Sequence, residues 1–351
     1  MATIVLTGGG TAGHCIPNVA LLPYIKKYFD KIYYIGSIDG IEKQIIEKEK
    51  IQYFGVTCAK LNRSFNFQNL AMPFKIIKGI YQSGKILDKI KPDIIFSKGG
   101  YVSIPTVIAA KKRKITIIAH ESDFTIGLAN KITAKYCKHV LTTFPETANQ
   151  LPNGLHVGPP IKQLTTSKTN ALENFGFSGK KPIIFVTGGS LGAQAINNAI
   201  RKALPNLLTN FDVLHVCGKG NLTQGNFPNG YVQKEFIEDM SMCYAVSDIC
   251  VSRAGSNTLF EILSLKKPCV LIPLPKGNSR GDQVFNAEYF EKKGLVYVLQ
   301  QNALTPDTLI NSITTCYSNR KKFEKAFNSY PIKNSCKKIA EILNSNANTQ
   351  F

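Results

Sequence analysis

The chain has 351 residues, 43 Lys+Arg against 23 Asp+Glu, and a formal net charge of +20. That length predicts two domains, each able to bury its own core, and a hydrophobic content of 44% excludes wholesale disorder. No apolar run reaches the roughly 18–20 residues of a membrane span, and the start of the sequence lacks the basic and long apolar regions of a signal peptide.

Short β-branched runs alternate with helical stretches. Strands are predicted at Thr3–Thr7, Lys31–Ile35, Asp93–Ser97, Ile115–Ala119, His139–Thr142, Pro182–Thr187, Asp212–Val216, Asp248–Val251, Pro268–Ile272 and Gly294–Leu299. The runs at 93–97, 115–119, 182–187 and 268–272 are apolar on both faces, as in parallel sheets covered by helices. Ile4-Val5-Leu6-Thr7-Gly8-Gly9 recurs as Ile184-Phe185-Val186-Thr187-Gly188-Gly189. Each copy is a buried strand entering a glycine turn and a helix, which is how a Rossmann-type domain opens. The sequence therefore predicts an α/β chain of two Rossmann-like domains, 1–160 and 161–334. The joint lies in the proline-rich stretch from Gly158-Pro159-Pro160 to Asn170. The tail after Asn344 is expected to fray.

The charge is clustered. Residues 60–114 hold twelve basic side chains, Arg63 and Lys98 among them, and two acids, Asp88 and Asp93. Such a surface attracts phosphate-bearing partners: nucleic acid, anionic lipid or a phosphorylated substrate. Within it, Phe74, Ile77 and Ile80 lie on a helix predicted to begin near Pro73, among Lys75, Lys78, Lys85 and Lys89. They either face the core or form the apolar wedge of a membrane-associating face. The nine cysteines are odd in number, scattered and without a C-x-x-C pair, which excludes a disulfide scaffold and a Cys-ligated zinc.

Four motifs carry chemistry. Gly8-Gly9-Gly10-Thr11-Ala12-Gly13-His14 is a glycine turn whose N–H groups can approach a phosphate. A dinucleotide fingerprint can be laid on it, but the second strand ends Ile35-Gly36-Ser37 where that reading expects an acid. His14 closes the turn, either as its cap or as a general base. Gly188-Gly189-Ser190-Leu191-Gly192-Ala193 opens the second domain and adds the Ser190 hydroxyl. Ser252 to Glu261 follows a strand and starts a helix. There Ser256 or Thr258 can cap the orphan N–H groups that could hold a diphosphate, and Glu261, near the first turn, can bind a ribose. Gln283 and Asn286 are i, i+3 amides suited to sugar hydroxyls and an acetamido group. The chain contains no Asp-x-Asp.

Together these motifs resemble the MurG family of bacterial N-acetylglucosaminyltransferases, glycosyltransferase family 28, over nearly the whole chain. The likeness extends to Gly99-Gly100-Tyr101-Val102-Ser103, His120-Glu121, Gly127-Leu128-Ala129-Asn130-Lys131 and Phe236-Ile237-Glu238-Asp239-Met240. Ala12, Asp123 and Lys162 depart from the glycine, asparagine and arginine usual at those positions. The resemblance implies a GT-B fold, with two Rossmann-like domains facing across a cleft and a last helix, about 335–351, crossing back to the first. It implies inverting transfer of GlcNAc from UDP-GlcNAc to lipid I, undecaprenyl-diphospho-MurNAc-pentapeptide, at the cytoplasmic face of the cell membrane. The product is lipid II, for cell-wall synthesis and hence cell shape and division. The implied catalytic base is His14. The implied substrate-binding residues are Thr11, Ala12, Gly13, Asp123 and Lys162, then Ser190, Ile237, Ser256, Asn257, Thr258, Leu259, Phe260, Glu261, Gln283 and Asn286. No cofactor or metal is implied. The expected partners are UDP-GlcNAc, lipid I, an anionic membrane surface and other cell-wall synthesis proteins, with no nucleic acid. The alternatives are another GT-B UDP-sugar transferase with a lipid or natural-product acceptor and, outside that class, a Rossmann NAD(P) oxidoreductase. A nucleic-acid binder would explain the charge but not the sugar-nucleotide motifs.

Overall fold

The protein is described from a computed structural model, over residues 2–60, 72–162, 166–277 and 281–347. Arg63 and the tail beyond 347 therefore lie outside the described residues. The chain divides into two compact units, Met1–Lys162 with Lys333–Phe351, and Gln163–Ile332.

Unit 1 alternates β1 (Thr3–Thr7), α1 (Ile16–Ile25), β2 (Lys31–Ser37), α2 (Ile41–Lys48), β3 (Gln52–Val56), α3 (Met72–Ile90), β4 (Ile94–Ser97), α4 (Ser103–Lys112), β5 (Thr116–Glu121), α5 (Leu128–Thr133), β6 (His139–Thr142), α6 (Pro145–Ala148) and β7 (Gly154–His156). Its sheet has the order β3-β2-β1-β4-β5-β6-β7, with every pair parallel. Unit 2 runs α7 (Lys168–Phe175), β8 (Ile183–Thr187), α8 (Gln194–Asn210), β9 (Asp212–Val216), β10 (Tyr231–Lys234), α9 (Met240–Val246), β11 (Ile249–Ser252), α10 (Ser256–Ser264), β12 (Cys269–Leu271), α11 (Asp282–Glu291), β13 (Tyr297–Val298), α12 (Pro306–Ser318) and α13 (Arg320–Ser329). Its sheet, β10-β9-β8-β11-β12-β13, is also parallel throughout. Counted from the unit's own first strand, unit 2 runs 3-2-1-4-5-6, the Rossmann order, and unit 1 runs the same with a seventh strand added at its far edge. The repeated segment thus supplies a central strand of each sheet, β1 and β8.

Burial on both faces explains the apolar runs. Ile4 and Leu6 of β1 pack into one core layer while Val5 packs into the other; Ile94 and Phe96 oppose Ile95 in the same way. The first layer is completed by the last helix, α14 (Cys336–Ala347), through Cys336, Ile339, Ala340, Leu343 and Ala347. Asn334 fastens the returning chain: its Nδ2 donates to the Ile161 carbonyl at 2.6 Å, and Ser335 Oγ donates to the Gly158 carbonyl at 2.9 Å.

The strands β3, β7 and β10 are absent from the sequence-based expectation, and all three are sheet edges. Two further expectations change. Lys98 is not part of a basic surface, because it is 2% exposed. Arg113 is engaged by both carboxylate oxygens of Asp88, each at 2.6 Å. On α3, Phe74 and Ile77 are 75% and 63% exposed, whereas Ile80 leans on the core and Tyr81, 63% exposed, takes its place on the outer face.

In unit 2 the buried His215 bonds Asn197 Oδ1 through Nε2 at 3.0 Å and the Tyr231 hydroxyl through Nδ1 at 2.9 Å. Burial, then Arg201, pushes its pKa down to about 3. The unfolded chain therefore binds a proton near pH 6.5 that the folded unit refuses, so stability present above that pH is lost as it falls towards 3. Scanning calorimetry is expected to show the melting temperature falling between pH 6.5 and 4. The His215→Gln variant should melt lower at pH 7 but lose less over that interval. Equal slopes in the two proteins would refute the assignment.

Candidate active site

In unit 1 the loop 8–14 leaves β1 at its C-terminal end. Tyr34 Oη donates to the Gly8 carbonyl at 2.7 Å and accepts from Asn18 Nδ2 at 3.2 Å. Burial holds the tyrosine pKa well above its ordinary value, so the hydroxyl keeps the proton it donates. Gly10 has φ 86°, and a Cβ there would run into the Tyr101 ring; one at Gly100 would run into the Gly9 carbonyl. The glycine loops after β1 and β4 thus interlock, with the His14 ring against Gly100.

Thr11, Ala12, Gly13 and His14 form a short 3-10 turn and its entry, and Thr11 Oγ1 lies 2.9 Å from His14 Nδ1. If Nδ1 carries the proton and donates to Thr11, Nε2 holds the lone pair that can accept a hydroxyl proton. His14 is half-buried and Thr11 exposed, as a residue meeting substrate requires.

Sequence reasoning missed Glu42. Fully buried at the start of α2, it accepts from Gly10 N at 3.1 Å, Ser37 N at 3.0 Å and Ser37 Oγ at 2.5 Å. The acid absent from the end of the second strand is thus supplied five residues later, but it points into the glycine loop. With Glu42 already on the Gly10 N–H, that donor is not offered to a dinucleotide diphosphate, which counts against the NAD(P) reading of this loop.

The His120-Glu121 pair is architectural. Glu121 Oε1 accepts from Ser122 N and Asp123 N at 2.9 and 3.1 Å; Oε2 accepts from Gly127 N and Asn130 Nδ2 at 2.8 and 2.9 Å. With all four acceptor sites filled, Glu121 holds the turn 121–127 and has none left for a substrate hydroxyl. His120 is buried, and burial followed by the nearby Lys98 charge keeps it neutral. Asp123 is half-buried on that turn, and Lys162 is exposed at the end of the unit's first segment.

In unit 2 the corresponding turns follow β8 and β11, neighbours paired Ser252 to Thr187. Ser190 is exposed on the first turn. Among the described residues, a Cβ placed on Gly189 or Gly255 would meet nothing within 4 Å, so both turns border open space. The helix α10 begins at Ser256 with Gly255 as its N-cap, a residue that has no side chain to cap with. Leu259 and Phe260 are core residues, 0% and 3% exposed, and offer a ligand only their backbone.

Glu261 sits one turn deeper than expected, since the first turn of α10 holds no acid. The buried Tyr244 hydroxyl donates to its Oε2 at 2.8 Å; burial and the Glu261 charge hold the phenol's proton in place. That bond fixes the carboxylate's orientation. Arg253 is spent within the fold, donating to the Ile272 carbonyl and to Gln301 Oε1. Gln283 Oε1 accepts from Leu274 N at 2.9 Å, leaving the NH2 as the group it can offer. Asn286 is fully buried, and its Nδ2 donates to the Ala254 carbonyl at 3.1 Å. It ties α11 to the β11 turn, a positioning duty where the sequence had suggested a direct sugar contact. Ile237 is half-buried between β10 and α9, beside the Asp239 cap of that helix. The described residues contain no cluster of three or more His, Cys, Asp or Glu able to hold a metal, and no helix long and apolar enough to cross a membrane.

Comparison with known proteins matches these two units to two profiles. The Glycosyltransferase family 28 N-terminal domain matches residues 4–142, and the family 28 C-terminal domain matches 183–343. The chain is 46% identical over 350 residues to the UDP-N-acetylglucosamine–N-acetylmuramyl-(pentapeptide) pyrophosphoryl-undecaprenol N-acetylglucosamine transferase of Clostridium botulinum strain Hall, covering 98% of this chain and 99% of that one. It is 45% identical to the protein of the same name from Lachnospira eligens, with 99% and 100% covered. Among solved structures, Acinetobacter baumannii MurG superposes with a TM-score of 0.75 at 23% identity, covering 98% of this chain and 100% of that one. The calicheamicin glycosyltransferase CalG4 superposes at 0.74 with 11% identity, covering 100% and 99%. These likenesses show the GT-B fold, and with the two domain matches and the close relatives they establish that the chain belongs to glycosyltransferase family 28.

Proposed function

We propose that the chain transfers N-acetylglucosamine from UDP-N-acetylglucosamine to undecaprenyl-diphospho-N-acetylmuramyl-pentapeptide, with inversion at the anomeric carbon. The observation that carries this reading is the 46% identity, over 98% of the chain, to a relative named for that transfer. Unit 2 takes the donor. The start of α10, where the N-cap is a glycine, and the Ser190 turn stabilise the diphosphate that leaves, in the manner of an oxyanion site. Glu261, oriented by Tyr244, takes the ribose hydroxyls; backbone at Ile237 takes uracil; Gln283 takes the sugar, with Asn286 setting the loop it meets. Unit 1 takes the acceptor. Thr11–Gly13 face its diphosphate, and His14 removes the proton of the attacking hydroxyl.

The chain's second expected surface is α3. Phe74, Ile77 and Tyr81 form an exposed apolar strip, and Lys75, Lys78, Lys85 and Lys89 around it are exposed too. An apolar wedge with a basic rim supports reversible attachment to an anionic bilayer, where a lipid-linked acceptor resides.

Transfer of labelled GlcNAc from its UDP donor to a lipid I analogue tests the whole reading, with unrelated acceptors alongside. Three variants test its parts. Glu261→Ala should weaken UDP binding by on the order of 1.5–3 kcal/mol, the worth of a charged hydrogen bond. Unchanged affinity in isothermal titration would sink that role. For His14→Ala, kcat should drop roughly 10²–10⁴-fold at saturating acceptor while UDP affinity holds. A near-normal kcat with a raised acceptor KM would make His14 a binding group instead. Finally, Phe74→Asp with Ile77→Asp should leave the fold intact, because both side chains are exposed, and should cut sedimentation with phosphatidylglycerol vesicles at low salt. Undiminished sedimentation would dismiss the membrane face.

A further inference from the structure

In unit 2 the turn after β8, which carries Ser190, meets the turn after β9 backbone to backbone. Gly192 has φ 74° and Gly218 φ 91°; a Cβ on Gly192 would run into the Cys217 carbonyl, and one on Gly218 into the Gly192 nitrogen. The half-buried Asn221 reaches across this seam. Its NH2 is shared among three carbonyls: Leu191 on the β8 turn at 3.3 Å, and Lys219 and Gly218 on its own turn at 3.1 and 3.4 Å. Asn221 is held in its turn by α8, where Arg201 Nη2 donates to the Asn221 carbonyl at 2.6 Å and to Gln233 Oε1 at 2.8 Å. One helical turn earlier, Asn197 Nδ2 donates to the Cys217 carbonyl at 2.8 Å.

We propose that Asn221 is a positioning residue for the sugar nucleotide: by gripping the Leu191 carbonyl it fixes the Ser190 turn in the form that receives the donor diphosphate. This rests on the donor assignment made above for unit 2. The kind of group that Asn221 grips carries the argument. A turn binds an anion through N–H groups, so a brace on such a turn must not consume them. In unit 1, Glu42 braces its loop by accepting the Gly10 N–H. Asn221 does the reverse: it donates, takes a carbonyl and spends no N–H of the turn. The planar peptide between Leu191 and Gly192 is thereby pinned at both ends, its oxygen by Asn221 and its nitrogen by the Gly189 carbonyl at 2.9 Å. Without the first pin, the glycine at 192 leaves that peptide free to rotate, and a carbonyl turned towards the diphosphate would repel it.

The fold itself has other ties at this seam. The strands β8 and β9 pair through Thr187 and Val216, Asn197 holds the Cys217 carbonyl, and Glu235 accepts from Gly220 N at the far end of the β9 turn. Loss of the Asn221 amide therefore leaves the sheet and the β9 turn in place and releases the Leu191 end of the Ser190 turn. The groups assigned to the nucleoside, Glu261 and the backbone at Ile237, lie on other elements, α10 and the segment between β10 and α9. A defect at Asn221 should thus separate the diphosphate from the nucleoside.

The test compares the wild type with Asn221→Leu in the full chain, by isothermal titration with UDP and with uridine and by donor and acceptor kinetics. Leucine keeps the side chain's approximate size and removes the donor. UDP should bind about tenfold more weakly to the variant while uridine, which lacks the diphosphate, stays within about twofold. The KM for UDP-N-acetylglucosamine should rise about tenfold and the acceptor KM should stay flat. A side chain that serves only to stabilise unit 2 would weaken UDP and uridine together, or lower the melting temperature and weaken neither; either result overturns the proposal. Should Asn221→Leu fail to fold, Asn221→Ala decides by the same comparison of UDP with uridine. If the wild type binds no UDP, the donor assignment fails and takes this proposal with it. If the wild type binds UDP and the variant matches it, the donor assignment stands and the proposal alone is refuted.

Discussion

A parallel sheet sends every strand the same way, and this single constraint arranges the chemistry of both units. Each strand must be followed by a crossover that carries the chain back, a helix in most cases and a loop between β9 and β10, so every turn leaving a strand's C-terminal end gathers along one edge. In unit 1 that edge carries the turns after β1, β4 and β5, which hold Gly8–His14, Lys98–Tyr101 and Glu121–Gly127. In unit 2 it carries those after β8, β10, β11 and β12, which hold Ser190, Ile237, Gly255–Thr258 and the approach to Gln283. Residues up to about a hundred positions apart become neighbours because the hydrogen-bonded ladder leaves their turns nowhere else to go. The apolar runs that drive burial of the strands also fix the positions of the polar turns.

Buried carboxylates then shape those turns. Glu42 binds the loop after β1 to the end of β2, Glu121 closes the turn after its own strand with four donors, and Glu261 is oriented by a buried phenol. An ionised carboxylate is costly to bury unless its lone pairs are filled, so each fixes its surroundings by demanding donors. Glu42 and Glu121 are satisfied wholly by backbone and short side chains of unit 1, which makes them structural keys. Glu261 is only half-buried, and its bond from the Tyr244 hydroxyl fixes the orientation of the carboxylate.

The legibility of the sequence followed from the same physics. Central strands announce themselves because both faces are apolar, and the repeat of β1 in β8 revealed the tandem Rossmann pattern. Edge strands carry no such signature: Gln52, Gly55, Leu155, His156 and Lys234 are exposed, and β3, β7 and β10 went unread. On α3 the spacing i, i+3, i+6 misled, because six residues turn a helix by about 600° and carry Ile80 well away from Phe74, whereas seven return Tyr81 to the same face. The glycine turns were legible as motifs since they need no partner to be recognised. Glu42 was not, because its meaning lies in a group 32 residues away that only the fold brings near. Asn286 was seen as an amide on a helix face, but only its burial against Ala254 reveals what it does there.

The two units share one strand order and one opening segment, yet they treat their anion-type turns differently. In unit 1 the glycine loop is filled by the protein itself: Glu42 takes the Gly10 N–H and the Tyr101 ring occupies the space beside it. In unit 2 Gly189 and Gly255 border open space among the described residues, and the N-cap of α10 is a glycine. A duplicated nucleotide-type fold would otherwise offer two competing sites for the same diphosphate. Internal occupation of the unit 1 loop by the Glu42 carboxylate takes up its Gly10 N–H and braces the turn that carries His14. One strand order and one opening segment thus give two glycine turns of different make, one closed by a carboxylate of its own unit and the other bordered by open space among the described residues.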